Sequence, residues 1–443
     1  METIEKISNG LFNSAGFKLA LITFLTLLLL IPASMIMELI KEREQRRDET
    51  IQEVTSVWGN EQTICGPVLT IPYKVTQKSG KDEFNTIISY MHILPDQLRV
   101  EGKLEPEVRY RGIYKVITYR AKLHISGRFT DPDMIGLNIS PEQIDGDMAW
   151  IEVGIPDMRG INQDIMLHWG DSVLPVIPGI PSQEISVSGI HCEVPVASLS
   201  GVSFSFDLDL NGSHSLNFIP IGKDTRVSLV STWNSPSFKG AFLPDDRKIS
   251  KSGFTADWNI LQLNRNYPQQ WIGNQYSLAE SAFGVELITP VDTYQKSMRS
   301  VKYAVLFIGL TFLVFFFAEV LTKVRIHPVN YLLTGVALCV FYSLLTALAE
   351  HISFELAYLV SGLIIITMIA IFAWSLYKNG RITLIVIATL VALYTYLYVI
   401  LQLMDYSLLF GNIGLVIILG IIMYFSRKIN WYSSVKSAEI AEE

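Results

Sequence analysis

Long apolar runs sit at the two ends of the chain, and alternating patterns fill the middle. Leu19–Ile40 is the first run. At about 1.5 Å per residue it is long enough to cross a hydrocarbon core of about 30 Å. It exceeds a signal-peptide core and lacks a small-residue cleavage site, so it reads as an uncleaved anchor. Five further runs follow, near Tyr303–Thr322, Val329–Ala349, Leu356–Leu376, Ile382–Leu403 and Tyr406–Phe425. Each is expected to span as a helix, which satisfies its own backbone groups in lipid.

The middle of the chain has the two-residue period of strands. In Gly201–Leu210 the residues Val202, Phe204, Phe206, Leu208 and Leu210 share one face, and Ser203, Ser205, Asp207 and Asp209 the other. Asn211-Gly212 then predicts a tight hairpin turn, with Leu216 and Phe218 on the returning strand. Ile113–Ile125 alternates in the same way. Further strands are expected at Ile64–Thr70, Asn85–Met91, Ala149–Gly154, Glu184–Gly189 and Arg226–Trp233. The predicted fold class is an α+β membrane protein: six transmembrane helices, one N-terminal and five C-terminal, with a large antiparallel, sandwich-like β domain between helices 1 and 2. Whether that domain is one sandwich or two is left open.

Its two ends read as helical stalks. Ile51, Val54, Val57 and Trp58 recur at helical spacing after the polar stretch from Lys41. Glu42–Arg46 and Glu44–Arg47 have the spacing of helix-stabilising ion pairs. Asp292 and Gln295 fit a capping box opening a helix that runs into the second span.

Loop charge sets the direction. Lys323, Arg325, Lys378, Arg381, Arg427, Lys428 and Lys436 fall on one side, whereas the loops at 350–355 and 404–406 carry Glu350, Glu355 and Asp405 and no Lys or Arg. The expected organisation is therefore a cytoplasmic N-terminus (1–18), a first span (19–40), an external domain (41–300), a five-helix domain (301–426) and a cytoplasmic tail (427–443). The basic residues Lys41, Arg43, Arg46, Arg47, Arg299 and Lys302 flank the membrane on the outer side, but large domains translocate largely regardless of charge.

Composition agrees with a membrane protein. Of 443 residues, 50% are hydrophobic and 17% charged, against about 25% charged in soluble domains. The net charge of −7 argues against nucleic acid as a partner. The three cysteines, Cys65, Cys192 and Cys339, form no C-x-x-C; Cys65 and Cys192 lie in the external domain and are a possible disulfide pair. Phosphate-loop, dinucleotide, zinc-protease and serine-hydrolase motifs are absent, so no catalytic residue, cofactor or metal site is expected. His191-Cys192-Glu193 would alternate across a strand and not converge.

The best polar cluster is Glu350, His351 and Glu355, whose residue types suit a divalent cation or a pH sensor; a solvated turn is the alternative. Glu319, one turn before Lys323, is expected to pair with it and snorkel. No ionisable group falls near the centre of a span, which disfavours ion-coupled transport. Trp58 and Trp233 each open a Gly/Pro-rich stretch, and Trp258 lies in a further aromatic segment. Exposed, they would mark a groove; buried, they would be packing.

Five stretches carry a resemblance: RRDETIQEVTSVWGNEQTICGPVLTIPY, FIPIGKDTRVSLVSTWNSPSFKGAFLP, GFTADWNI, PVDTYQKSMRSVKYAVLFIGLTF and HPVNYLLTGVALCVFYSLLTALAEHISFELAY. In this order, from about Arg46 to Tyr358, they resemble the CreD family of bacterial inner-membrane proteins. The resemblance implies a multi-pass protein of the bacterial inner membrane, associated with cell envelope integrity and stress response, with no enzymatic activity or cofactor to carry over. Two functions follow as expectations. One is a non-catalytic protein in the lipid bilayer whose periplasmic β domain binds an envelope protein or cell-wall component, with the helices anchoring it or relaying its state. The other is a transporter or lipid-handling protein using the C-terminal helices, where Gly411–Gly414 would break a span. An enzyme acting through Glu350 and His351 is the least supported.

Overall fold

The structure is a computed structural model. It describes residues 15–78, 84–131, 133, 134, 136, 137, 139–145, 148–195, 201–288, 293–322, 324, 326–403 and 407–427. Asp292, Lys323, Arg325, Asp405, Lys428 and Lys436, on which expectations were placed above, lie outside the described residues. The chain divides into two compact units: Met1–Arg47 with Val291–Glu443, and Asp48–Pro290.

The first unit is helical. Its described helices are α1 (Ala15–Leu28), α2 (Leu30–Trp58, which continues into the second unit), α3 (Thr293–Lys302), α4 (Ala304–Thr322), α5 (Pro328–Ala349), α6 (Phe354–Tyr377), α7 (Gly380–Gln402) and α8 (Ser407–Ser426). Pro32 lacks the N–H that would bond Leu28, which accounts for the irregularity at Leu29. Helical bonds continue across it, from Leu29 N to Leu25 O and from Ala33 N to Leu29 O. Among the described residues, four helices are long and apolar enough to cross a membrane. A fifth span results if α3 and α4, bent by 45° about Tyr303, count as one. The second stalk therefore kinks instead of running straight into its span. Small residues let these helices approach: a Cβ on Gly335 would fall 2.1 Å from Leu29 Cδ1.

The second unit is β-rich. Its strands are β1 (Gln62–Lys78), β2 (Phe84–Ile93), β3 (Gln97–Arg111), β4 (Tyr114–Arg128), β5 (Met148–Gly154), β6 (Met166–Trp169), β7 (Ser172–Pro175), β8 (Ile177–Pro178), β9 (Gly189–Pro195), β10 (Ser203–Ser213), β11 (Ser215–Phe218), β12 (Asp224–Ser231), β13 (Pro236–Gly240), β14 (Asp246–Ser250), β15 (Gly253–Leu261), β16 (Gln270–Ile272) and β17 (Phe283–Leu287). One sheet runs β13-β17-β11-β1-β5-β9-β8, with β2 and β16 added beside β1; the other runs β14-β15-β12-β3-β4-β10-β6-β7. Residues of both sheets share a single core. Both sheets are mixed: β1 pairs β11 in parallel, and β3 pairs β12 in parallel.

The alternation reads correctly in β10, where Phe204, Phe206, Leu208 and Leu210 are buried, and in β4, where Tyr119, Ala121, Leu123 and Ile125 are. Two local expectations fail. Asn211-Gly212 is not a hairpin turn. Both residues stay in β10, paired with Arg120 and Tyr119. Asn211 is tied to Asn162 (2.9 Å) and accepts from Gln62. The chain turns instead at His214, whose φ is +56°, and Leu216 and Phe218 enter the other sheet. Glu184–Ser188 is irregular, and the strand begins only at Gly189; the Glu184 carboxylate lies against His92.

Candidate functional site

The Glu350–Glu355 segment joins α5 to α6, as its hydropathy demanded. Its three titratable side chains do not converge. Glu350 caps the C-terminus of α5, where the partial negative charge of the helix end opposes a carboxylate. It is nonetheless nearly sealed, at 3% exposure, and is held by Arg43 of α2 at 2.8 Å and by the Tyr294 hydroxyl of α3, which donates at 3.0 Å. Arg47 lies over the Tyr294 ring, 5.3 Å from its centroid. His351 points outward and is exposed. Glu355 faces Lys296 of α3 at 3.6 Å. Among the described residues no group of three or more His, Cys, Asp and Glu is placed to hold a metal ion. The metal reading of this cluster therefore has no geometry behind it.

Glu319 differs from the snorkelling expectation. It is buried in the helical unit and accepts from Lys18 (2.5 Å), the Tyr331 hydroxyl (2.9 Å) and the Ile326 backbone N–H (3.1 Å). No local sequence pattern announces the Lys18 partner, because it lies on another helix. The stalk pairs do form, Glu42 with Arg46 at 2.6 Å and Glu44 with Arg47 at 3.6 Å.

Trp58 and Trp233 are half-buried, and Trp258 is buried. Trp58, at the end of α2, lies under the Arg109 guanidinium, 3.5 Å from ring centroid to Cζ, and its indole N–H donates to Tyr119 O. Trp233 donates to Ser235 O and Ile288 O. Trp258 is fully enclosed between the sheets, with Phe238 and Phe283 each 5.7 Å away. The cysteines are free thiols. β5 separates Cys65 on β1 from Cys192 on β9, so about 10 Å of sheet lies between them. A disulfide needs Cα atoms within about 7 Å, and the pair cannot bridge. Burial pushes the Cys65 thiol up to about 12 and the Cys192 thiol up to about 11, so both are inert. His191 and Glu193 face away from the buried Cys192, as alternation requires.

Two polar networks in the β unit went unread in the sequence. In the first, Thr70 Oγ1 lies 2.7 Å from Glu152 Oε2 and 3.0 Å from His92 Nδ1, while His92 Nε2 lies 2.8 Å from Glu184. Ser182 donates to Glu152 through both its N–H and its hydroxyl. Hydroxyl, imidazole and carboxylate are ordered as in a nucleophilic relay, but Thr70, His92 and Glu152 have no exposed surface. No substrate reaches the hydroxyl, and the network serves as a strut for the Ser182–Glu184 segment.

The second network seats the last turn of α2. Asp157 accepts from Asn60 N–H (3.0 Å) and from Arg159 Nε and Nη2 (2.8 Å each), and Arg159 Nη1 donates to Ser56 O at the helix C-terminus. These partners hold the Asp157 carboxyl below its ordinary pKa, the Arg159 guanidinium contributing most. A depressed carboxyl stabilises the fold above its unfolded pKa of about 3.9, and that contribution is lost as pH falls through the lower folded value. Unfolding followed from pH 7 to pH 2 is expected to show less acid-dependent loss, below about pH 4, in Asp157→Asn than in the parent chain. Equal slopes would refute the assignment.

The outer face of the second sheet carries two shallow depressions. A groove of about 860 Å³ lies over β3, β4, β10 and β12, and a second of about 470 Å³ adjoins it toward β15; Glu101 and Ser228 line both. Lys103, Lys122, His124 and Asp207 give it charges of both signs.

A family model described as "Inner membrane protein CreD" matches residues 14–432. The Inner membrane protein CreD of Escherichia coli (strain K12) is 32% identical over 416 residues, covering 92% of this chain and 91% of that protein.

Proposed function

We propose, for a chain that belongs to the CreD family of inner membrane proteins, that it is a non-catalytic envelope-integrity protein whose β domain lies in the periplasm and binds an envelope protein or cell-wall component. In this reading all six apolar segments span, both termini are cytoplasmic, and residues 41–300 are external. The observation that carries it is the pair of adjoining shallow depressions on the second sheet. They carry charged side chains of both signs and are open to a partner, whereas the relay-like side chains are sealed inside the domain. The charged side chains on this face would orient a partner of complementary charge.

The test is in-cell crosslinking from a photoreactive residue at Glu101 or Lys122. A reproducible envelope product is expected from both, weakened several-fold by Lys103→Glu/Lys122→Glu. A probe at Leu263, outside the groove and 94% exposed, is the control. Equal products from all three positions, or normal envelope tolerance in a variant lacking residues 60–285, would overturn the proposal.

A further inference from the structure

The network around Glu152 lies on the face of the first sheet that looks away from the core. Ile151 and Val153 of β5 are core residues, so Glu152 between them points the other way. There the Ser182–Ser188 segment covers it, anchored on both sides of a strained residue. Ser182 donates to Glu152 through its N–H (3.0 Å) and its hydroxyl (2.8 Å), and Glu184 lies 2.8 Å from His92 Nε2. Gln183, between these anchors, has a φ of +52°, a left-handed conformation that a side chain disfavours. From Glu184 to Ser188 the segment has no regular structure, and Val187 is 92% exposed.

The hydrogen bonds of this network require more protons than its groups bring. Glu152, as a carboxylate, can only accept. The Thr70 hydroxyl therefore gives its proton to Glu152 (2.7 Å) and can only accept from His92 Nδ1 (3.0 Å). Nδ1 then carries the one proton of a neutral imidazole. That leaves Nε2 an acceptor facing a second acceptor, the Glu184 carboxylate, at 2.8 Å. Reversing the Thr70 hydroxyl moves the shortfall to Glu152 and does not remove it. The closed arrangement holds one proton more than a neutral imidazole and two carboxylates supply.

We propose that Ser182–Ser188 is an acid-closed latch: a proton taken up between His92 and Glu184 clamps the segment, and loss of that proton releases Glu184 to solvent. Glu184 is 24% exposed and has a path outward, whereas the His92 side chain is fully enclosed and stays in place. Once Glu184 leaves, the strained Gln183 is held from one side. Burial lowers the His92 pKa, and the contact with Glu184 and the charges of Glu152 and Glu184 raise it. The upward pull of Glu184 exists only in the closed form, so His92 binds its proton more tightly closed than open, and acid closes the latch. Burial is the larger influence, which places closing on the acid side of the ordinary histidine value of about 6.5.

The neighbouring elements add few competing charges. On β1, burial keeps the Cys65 thiol neutral. On β2, Tyr90 packs against Trp150, ring to ring at 5.9 Å. On β9, His191 pairs with Glu152 and Glu193 with Trp150; His191 Nδ1 is engaged with Gly179 O at 2.9 Å, and Glu193 is exposed. β16 contributes Trp271, 5.4 Å from the His92 ring, and has no ionisable residue. The inference uses no residue of the two depressions proposed above as a partner site.

The test is hydrogen exchange of the full-length chain in detergent from pH 5 to pH 8, corrected for the intrinsic pH dependence of exchange and read in peptides covering Ser182–Ser188. This range lies above that in which Asp157 titrates. Protection is expected to be roughly tenfold greater at pH 5 than at pH 8, the worth of one hydrogen bond to a charged group. Glu184→Gln, whose carboxamide can donate to a neutral Nε2, is expected to keep the acid level of protection through pH 8. Glu184→Ala is expected to lose it at pH 5, and His191→Gln to retain the parental profile. Equal protection at both pH values in the parent chain overturns the proposal, as does a parental profile that survives in either Glu184 variant or disappears in His191→Gln.

Discussion

Arg43→Met is expected to destabilise the helical unit by about 2–3 kcal/mol. The physical reason is the state in which it leaves Glu350. That carboxylate is buried, sits at the C-terminal end of α5, and has two donors. With Arg43 gone, only the neutral Tyr294 hydroxyl remains to oppose both the desolvation and the helix-end charge. Breaking a buried pair from one side costs about 3–5 kcal/mol. Arg43 is about one-third exposed, so solvent screening lowers the expected value. Removing both charges in Arg43→Met/Glu350→Gln should cost about 1 kcal/mol, less than Arg43→Met alone, because no unpaired charge remains. Thermal unfolding of the detergent-solubilised chain and the corresponding double-mutant cycle measure this. Independent, additive effects at the two positions would mean that the contact carries no energy.

Trp258 supplies the second large effect, and a clean separation of roles. Trp258→Ala should cost about 3–5 kcal/mol, as for other large-to-small changes in a sealed core. It removes the ring that Phe238 and Phe283 pack against from the opposite sheet. Trp258→Phe should cost only about 1–2 kcal/mol. It keeps most of the buried ring and removes an indole N–H that has no hydrogen-bond partner. Denaturant unfolding of the full chain reads both values. A well-folded Trp258→Phe variant that fails in envelope tolerance would give this residue a binding role that its position argues against.

Hydropathy alone located the helices well, because each must bury or expose an unbroken apolar surface in lipid. Alternation likewise located β4 and β10, since a strand with one face in the core must repeat every two residues. The Asn211-Gly212 turn failed for a reason that no local window contains. Asn162, Gln62 and the pairing with β4 hold both residues extended, and this outweighs their turn preference. The Glu350–Glu355 loop was legible as a helix connection, but the partners of its side chains were not. Adjacency of Glu350 and His351 in the chain became opposite directions in space, and the partners that matter, Arg43 and Tyr294, stand 307 and 56 residues away.

The sequence by itself determined the membrane class, the β-rich middle, the strand faces and, through collinear segments, the family. These depend on periodicity and composition, which are properties of short windows. Only the tertiary structure decided that two mixed sheets share one core and that Cys65 and Cys192 are kept apart by β5. The same holds for the sealing of Thr70, His92 and Glu152 from solvent, for Lys18 meeting Glu319, and for Lys296 meeting Glu355 and Gln402. Each depends on which distant strands or helices become neighbours. That choice is made by the packing of the whole core and by the pairing of most buried charges and hydrogen-bonding groups, and no segment states it alone.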